Sequence, residues 1–89
     1  MKIARVTGTV TATAKDEKLG GVPLVIVDVE DGAGNVLEKS MVAANVGAAG
    51  TGDTVLVTTG SAARLPTAIA GMAIDASVIA IVDHLELSN

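Results

Sequence analysis

The chain contains no phenylalanine, tyrosine or tryptophan and no cysteine in its 89 residues. Without aromatic rings there are no stacking platforms for nucleic-acid bases, and roughly 150–250 Å² of burial is lost for each ring a typical core would hold. A core must instead be assembled from Val, Ile, Leu and Ala, with Met at only three positions. Such a core is thin for this length. The lack of cysteine excludes disulfides and thiolate metal sites, and nothing points to an oxidising compartment. Oligomerisation is the remaining common way to stabilise so small a domain. Long apolar runs are missing as well. There is no stretch of about 18 apolar residues to cross a membrane, and Lys2 and Arg5 are not followed by the ~7–15 apolar residues of a secretory signal. Nor is there an excess of cations: the formal net charge of −4 argues against a surface that tracks phosphates. The expectation is one soluble, cytoplasmic domain spanning residues 1–89, with no nucleic-acid and no membrane partner.

What the chain does have is a period of two. From Met1 to Ala14, Val6, Gly8, Val10 and Ala12 fall on one face and Arg5, Thr7, Thr9, Thr11 and Thr13 on the other, as in a half-buried strand. Lys15 to Lys18 reads as a charged turn, extended by Leu19 and punctuated by Gly20-Gly21. Val22 to Glu30 is predicted as a second strand, with Pro23 near its start where a missing N–H is tolerated. Asp31-Gly32-Ala33-Gly34-Asn35 signals a hairpin, and the return strand runs from about Val36 to Ala44. The glycine-rich stretch Asn45 to Asp53 leads to a strand from Thr54 to Thr59. Gly60 to Leu65 reads as a short helix with Ser61 as its N-cap, stopped before Pro66. Thr67 to Ile74 is loop or edge strand, Val78 to Val82 a final strand, and His84 to Asn89 a tail.

Five strands, a short helix and tight turns predict an all-β fold, a small five-stranded OB-like β-barrel. Two strands are apolar on both faces: Leu24-Val25-Ile26-Val27 and Val78-Ile79-Ala80-Ile81-Val82. A small barrel has one interior, so the second face of each requires a cover: the helix, the long loop or another chain.

Candidate chemistry is sparse. Gly47-Ala48-Ala49-Gly50-Thr51-Gly52-Asp53-Thr54 nearly matches the phosphate-binding pattern GxxxxGK[ST], but Asp53 places an anion where the lysine belongs. Val55-Leu56-Val57 then follows as strand sequence where a helix N-terminus is needed. A glycine-rich connection is the better reading. His84 is the single histidine and reads as a tail residue beside Asp83 and Glu86. Asp28, Glu30 and Asp31 cluster at the hairpin without EF-hand spacing, so solvation of the turn outweighs acid–base or Ca²⁺ chemistry. Arg64 is the sole charge between Asp53 and Asp75. It either satisfies carbonyls at the helix end or anchors a carboxylate or carbonyl on a neighbouring subunit. No catalytic residue, metal site or cofactor emerges.

Several segments together resemble the EutN/CcmL family, the pentameric vertex proteins of bacterial microcompartment shells. They are Ala4 to Val10; Lys15-Asp16 before Leu19-Gly20; Val46-Gly47-Ala48 leading to Gly52-Asp53; Val55-Leu56-Val57; Gly60-Ser61-Ala62-Ala63-Arg64; and Ile74-Asp75-Ala76 leading to Ile81-Val82-Asp83. They occur in the family's order along nearly the whole chain, and Gly60 to Arg64 is the most specific. Departures are Ala14 where the family usually has Gln, Ala80 where Gly is common, and an unusually apolar run from Leu65 to Met72.

The resemblance implies a barrel that forms a five-fold ring in the shell, inside the bacterial cytoplasm. It implies a structural protein and not an enzyme, with itself and the hexameric and trimeric shell proteins as partners. A carboxysome and a catabolic metabolosome are equally open. Flat hexagonal layers cannot close alone, and a cyclic five-fold unit supplies their corners. Candidate interface or pore residues are Gly47, Ala48, Gly50, Gly52, Ser61, Arg64, Ile79 and Ile81. The alternative reading is an OB-like module that binds nucleic acid or another ligand, and the missing aromatics and acidic balance count against it.

Overall fold

Alternating Val, Ile and Thr become strands in five places: β1 Lys2–Val10, β2 Leu24–Glu30, β3 Val36–Asn45, β4 Thr54–Thr59 and β5 Ala76–Ile81. The structure, a computed structural model, describes residues 1–11, 22–64, 74–83 and 85. The strands close into a barrel, as the sequence pattern predicts, in the order β1-β2-β3-β5-β4 that the pattern alone does not give. Every pairing is antiparallel except β3 with β5, which run parallel and touch only through Ala44↔Ser77 and Asn45↔Val78.

Among the described residues the buried side chains of the barrel interior are Val and Ala, with the half-buried Met41 packed against them. Ala4, Val6, Val25, Val27, Ala43, Val55, Val57, Ala76 and Val78 form its packed cluster, joined by Ala49 from the glycine-rich loop. Small branched side chains suit the narrow interior of a five-stranded barrel. Each fully buried Val contributes about 1.5–3 kcal/mol. Several larger aliphatic residues lie outside or at the rim: Ile3, Leu24, Ile26 and Leu56 are half-buried, whereas Ile74 is buried in a second, smaller cluster.

The hairpin Asp31–Asn35 forms as its composition requires. Gly34 takes the left-handed conformation at φ 94°. The Asp31 carboxylate accepts the backbone N–H groups of Ala33 and Asn35, both at 2.9 Å, and the Asn35 side-chain N–H at 3.0 Å. These bonds favour the anion, so the Asp31 carboxyl titrates below its ordinary value, chiefly through the Asn35 side chain and then its backbone N–H.

Element boundaries differ from expectation mostly by one or two residues. β2 starts at Leu24 and not Val22, and β5 occupies Ala76–Ile81 where Val78 to Val82 was expected. β1 ends at Val10; the predicted continuation through Ala14 lies outside the described residues apart from Thr11, which follows the strand. The predicted turn Lys15 to Gly21, the segment Leu65 to Ala73 and His84 also lie outside them. The predicted short helix is a single 3-10 stretch, Gly60–Arg64. It begins at Gly60, in the left-handed region at φ 69°, one residue before the predicted Ser61 cap. Five residues give little more than one turn, too few to repay the nucleation of an α-helix.

Candidate subunit interface

The glycine-rich loop is held largely by its own groups and by β1. Asn45 spans it, donating its side-chain N–H to the Ala49 carbonyl and accepting the Ala49 N–H, both at 2.9 Å. Asp53 accepts the Gly50 N–H at 2.8 Å, and the Gly52 N–H donates to the Val6 carbonyl at 2.8 Å. A phosphate cradle needs such N–H groups converging on open space. Here the N–H groups of Ala49, Gly50 and Gly52 are spent on Asn45, Asp53 and Val6, and the carboxylate of Asp53 occupies the place an anion would seek. The glycine-rich connection is therefore structural. Two residues in it adopt positive φ, Ala48 at 56° and Gly52 at 94°. Gly47 packs against β5, where an added Cβ would lie 3.6 Å from Val78 Cγ1 and 3.9 Å from the Ala80 nitrogen.

The carboxylates at the hairpin have separate employments. Glu30, with a side chain 9% exposed, accepts from Arg5 Nε at 3.3 Å. Arg5 Nη1 donates in turn to the Gly52 carbonyl at 3.1 Å. Asp28 accepts the Ser40 N–H at 3.0 Å, which fits the bulge where β3 carries Lys39 and Ser40 opposite Asp28 alone and Ser40 turns to φ 59°. Asp31 serves the turn. Three side chains aimed at three different backbone or arginine partners do not converge on an ion.

The remaining candidates meet along β5. The 3-10 stretch covers its first half: the buried Ser77 hydroxyl donates to the Ala63 carbonyl, the Gly60 N–H donates to the Asp75 carbonyl at 2.7 Å, and Ala63 packs with Ala44 and Ile74. This places Ser61 and Arg64 at one end of β5. Gly47 and its loop cover the middle. Among the described residues nothing roofs the far end. Ile79 is 37% exposed and Ile81 42%. The sequence pattern puts Val78, Ala80 and Val82 on one face and Ile79 and Ile81 on the other; the register changes this. A bulge leaves Ile79 without a partner between Val57↔Val78 and Leu56↔Ala80, and Ile81 then stands opposite Val55. Cross-strand partners share a face, so strict alternation ends at Ile79. The cover that β5 requires is thus partly supplied by the 3-10 stretch and the loop, and among the described residues its far end has none.

Residues that the pattern did not single out complete the exposed apolar surface. Val36 is 44% exposed, Leu37 68% and Val42 47%. Val42 stands opposite Ile26 on the outer face, and the doubly apolar run around Ile26 was the one available signal for it.

Comparison with known proteins agrees with this surface and fold. The profile of the family described as "Ethanolamine utilisation protein EutN/carboxysome" matches residues 1–83. The carboxysome shell vertex protein CcmL of Nostoc sp. is 42% identical, over all of this chain and 89% of its own length. The bacterial microcompartment shell vertex protein EutN of Salmonella typhimurium is 36% identical, over 96% of this chain and 86% of its own. Among solved structures, the GrpN pentameric microcompartment shell protein from Rhodospirillum rubrum superposes with a TM-score of 0.88 at 35% identity, covering both chains in full (100% of each).

Proposed function

The chain belongs to the EutN/CcmL family, and from that premise we propose that it is a shell vertex protein: a structural subunit that forms a cyclic pentamer and closes the corners of a bacterial microcompartment in the cytoplasm. The single observation that carries this reading is the match of fold and sequence to a pentameric shell protein over the full chain. The exposed apolar surface gives it a physical basis. A core of Val and Ala is thin, and the exposed Ile79, Ile81 and Val42 gain burial only in an assembly.

In this reading residues 1–89 are one shell domain, without catalysis or cofactor, whose partners are itself and the hexameric and trimeric shell proteins. The interface or pore residues are Gly47, Ala48, Gly50, Gly52, Ser61, Arg64, Ile79 and Ile81. The rigid glycine-rich loop, locked by Asn45 and Asp53, suits a lining whose shape must repeat around a five-fold axis.

Native mass spectrometry is expected to show a pentamer, and co-expression with hexameric shell subunits to give closed particles. Omitting this chain is expected to leave them open or elongated. A stable monomer at micromolar concentration, or equally well-closed shells without any five-fold subunit, contradicts the proposal.

A further inference from the structure

A ring of more than two subunits joins unlike surfaces, so each copy must carry two different patches, one received by the other. The first is the exposed first half of β3. Val36 to Ser40 are exposed on both faces, because this arm pairs with β2 alone while β3 reaches β5 only at Ala44 and Asn45. Leu37 is skipped in the register between Val29↔Glu38 and Glu30↔Val36. At 68% it is more exposed than the other large apolar residues among those described, except the N-terminal Met1 at 77%.

The receiving patch lies where the parallel strands β3 and β5 diverge. Leu24, Val42, Ile74 and Asp75 line a groove there of about 180 Å³. That is comparable to an aliphatic-lined cavity of ~150 Å³ that admits benzene, so it has room for one branched aliphatic side chain. The charges match as well. Lys39, two residues beyond the knob, and Asp75, on the groove wall, are both exposed. Neither takes part in the ion pairs among the described residues, Lys2–Glu38 and Arg5–Glu30.

We propose that Leu37 of one subunit seats in the β3/β5 groove of the next copy of this chain, with Lys39 brought beside Asp75. The inference rests on the ring-forming reading above and names the contact that builds the ring. It cannot be made within one chain. Leu37 and Val42 are five positions apart on β3, about 16 Å at ~3.3 Å per residue.

The absence of native cysteine makes the test clean. In the double variant Leu37→Cys/Val42→Cys, mild oxidation is expected to give a ladder of linked chains, since a bridge within one chain exceeds the Cα separation limit of ~7 Å. Each single-cysteine variant is expected to give no ladder. In parallel, Lys39→Asp and Asp75→Lys are each expected to raise the concentration at which the ring dissociates about tenfold or more, and the combined variant to recover most of that loss. An intact ring without cross-links, dimers from Leu37→Cys alone, or no recovery in the charge-swapped pair overturns this contact and leaves the vertex reading standing. A monomeric unmodified protein overturns both.

Discussion

At the residue scale the best-defined device is the Asp31 cap of the β2–β3 hairpin. Three N–H groups converge on one exposed carboxylate, and they hold its titration below the usual range. A depressed carboxylate pKa contributes stability that is complete above the unfolded value of ~3.9 and is lost as pH falls through the lower folded value. The amide signals of Ala33 and Asn35 are therefore expected to titrate with a midpoint below ~3.9, and Asp31→Asn to abolish that transition. A midpoint at or above the ordinary value would contradict the cap. Arg64 is the other residue on which a specific reading hangs. If it bridges subunits, Arg64→Ala weakens the ring and Arg64→Lys restores it only in part, because a point charge cannot replace a planar fork. Native mass spectra that do not distinguish Arg64→Ala from the unmodified protein leave only the helix-end role.

At the scale of elements, β5 links the candidate site together. Its start is roofed by the 3-10 stretch through Ser77 and Ala63, its middle by Gly47, and its end by nothing among the described residues. Val78 is fully buried (0% exposed) and Ile79 is 37% exposed, so neighbouring positions on one strand have opposite expected responses. Val78→Glu places an unpaired charge inside the barrel and is expected to prevent folding. Ile79→Glu costs the isolated barrel little but buries a charge if a neighbouring subunit covers it. The penalty is at least about 3 kcal/mol, or roughly a hundredfold in the dissociation constant. Far-UV circular dichroism and native mass, measured together, are expected to show folded, dissociated chains for Ile79→Glu only. If Ile79→Glu assembles as the unmodified protein does, Ile79 is no part of the ring contact.

For the whole molecule the governing fact is the distribution of apolar bulk: Val and Ala inside, and Leu37, Val42, Ile79 and Ile81 exposed. A monomer arranged this way leaves much of its apolar content in water. Assembly then supplies part of the folding stability, and mass action makes that part depend on concentration. The thermal midpoint is accordingly expected to rise with protein concentration across the range where the ring forms. For Ile79→Glu it is expected to lie lower and to lose that dependence. A midpoint independent of concentration in the unmodified protein would mean that the Val and Ala core suffices alone.

The type of the strands and their succession along the chain, the Asp31–Asn35 turn and the family were legible in the sequence, because period-two patterning, turn chemistry and motif order are local properties of the chain. Thr54–Thr59 was read with the boundaries it has, since its β-branched run is compact and both flanks are marked by glycine. Local pattern could not decide the inward side of β5, because both faces are apolar and a bulge at Ile79 breaks the alternation. Nor could it show that the carboxylates of Asp28 and Glu30 are spent on Ser40 and Arg5, or that Leu37 is exposed while a groove opens beside Val42. Those depend on strand register and on the closure of the barrel, which bring together positions distant in the chain. The physical reason is that a side chain's type is written in one position, while its burial is set by whatever the closed barrel places opposite it.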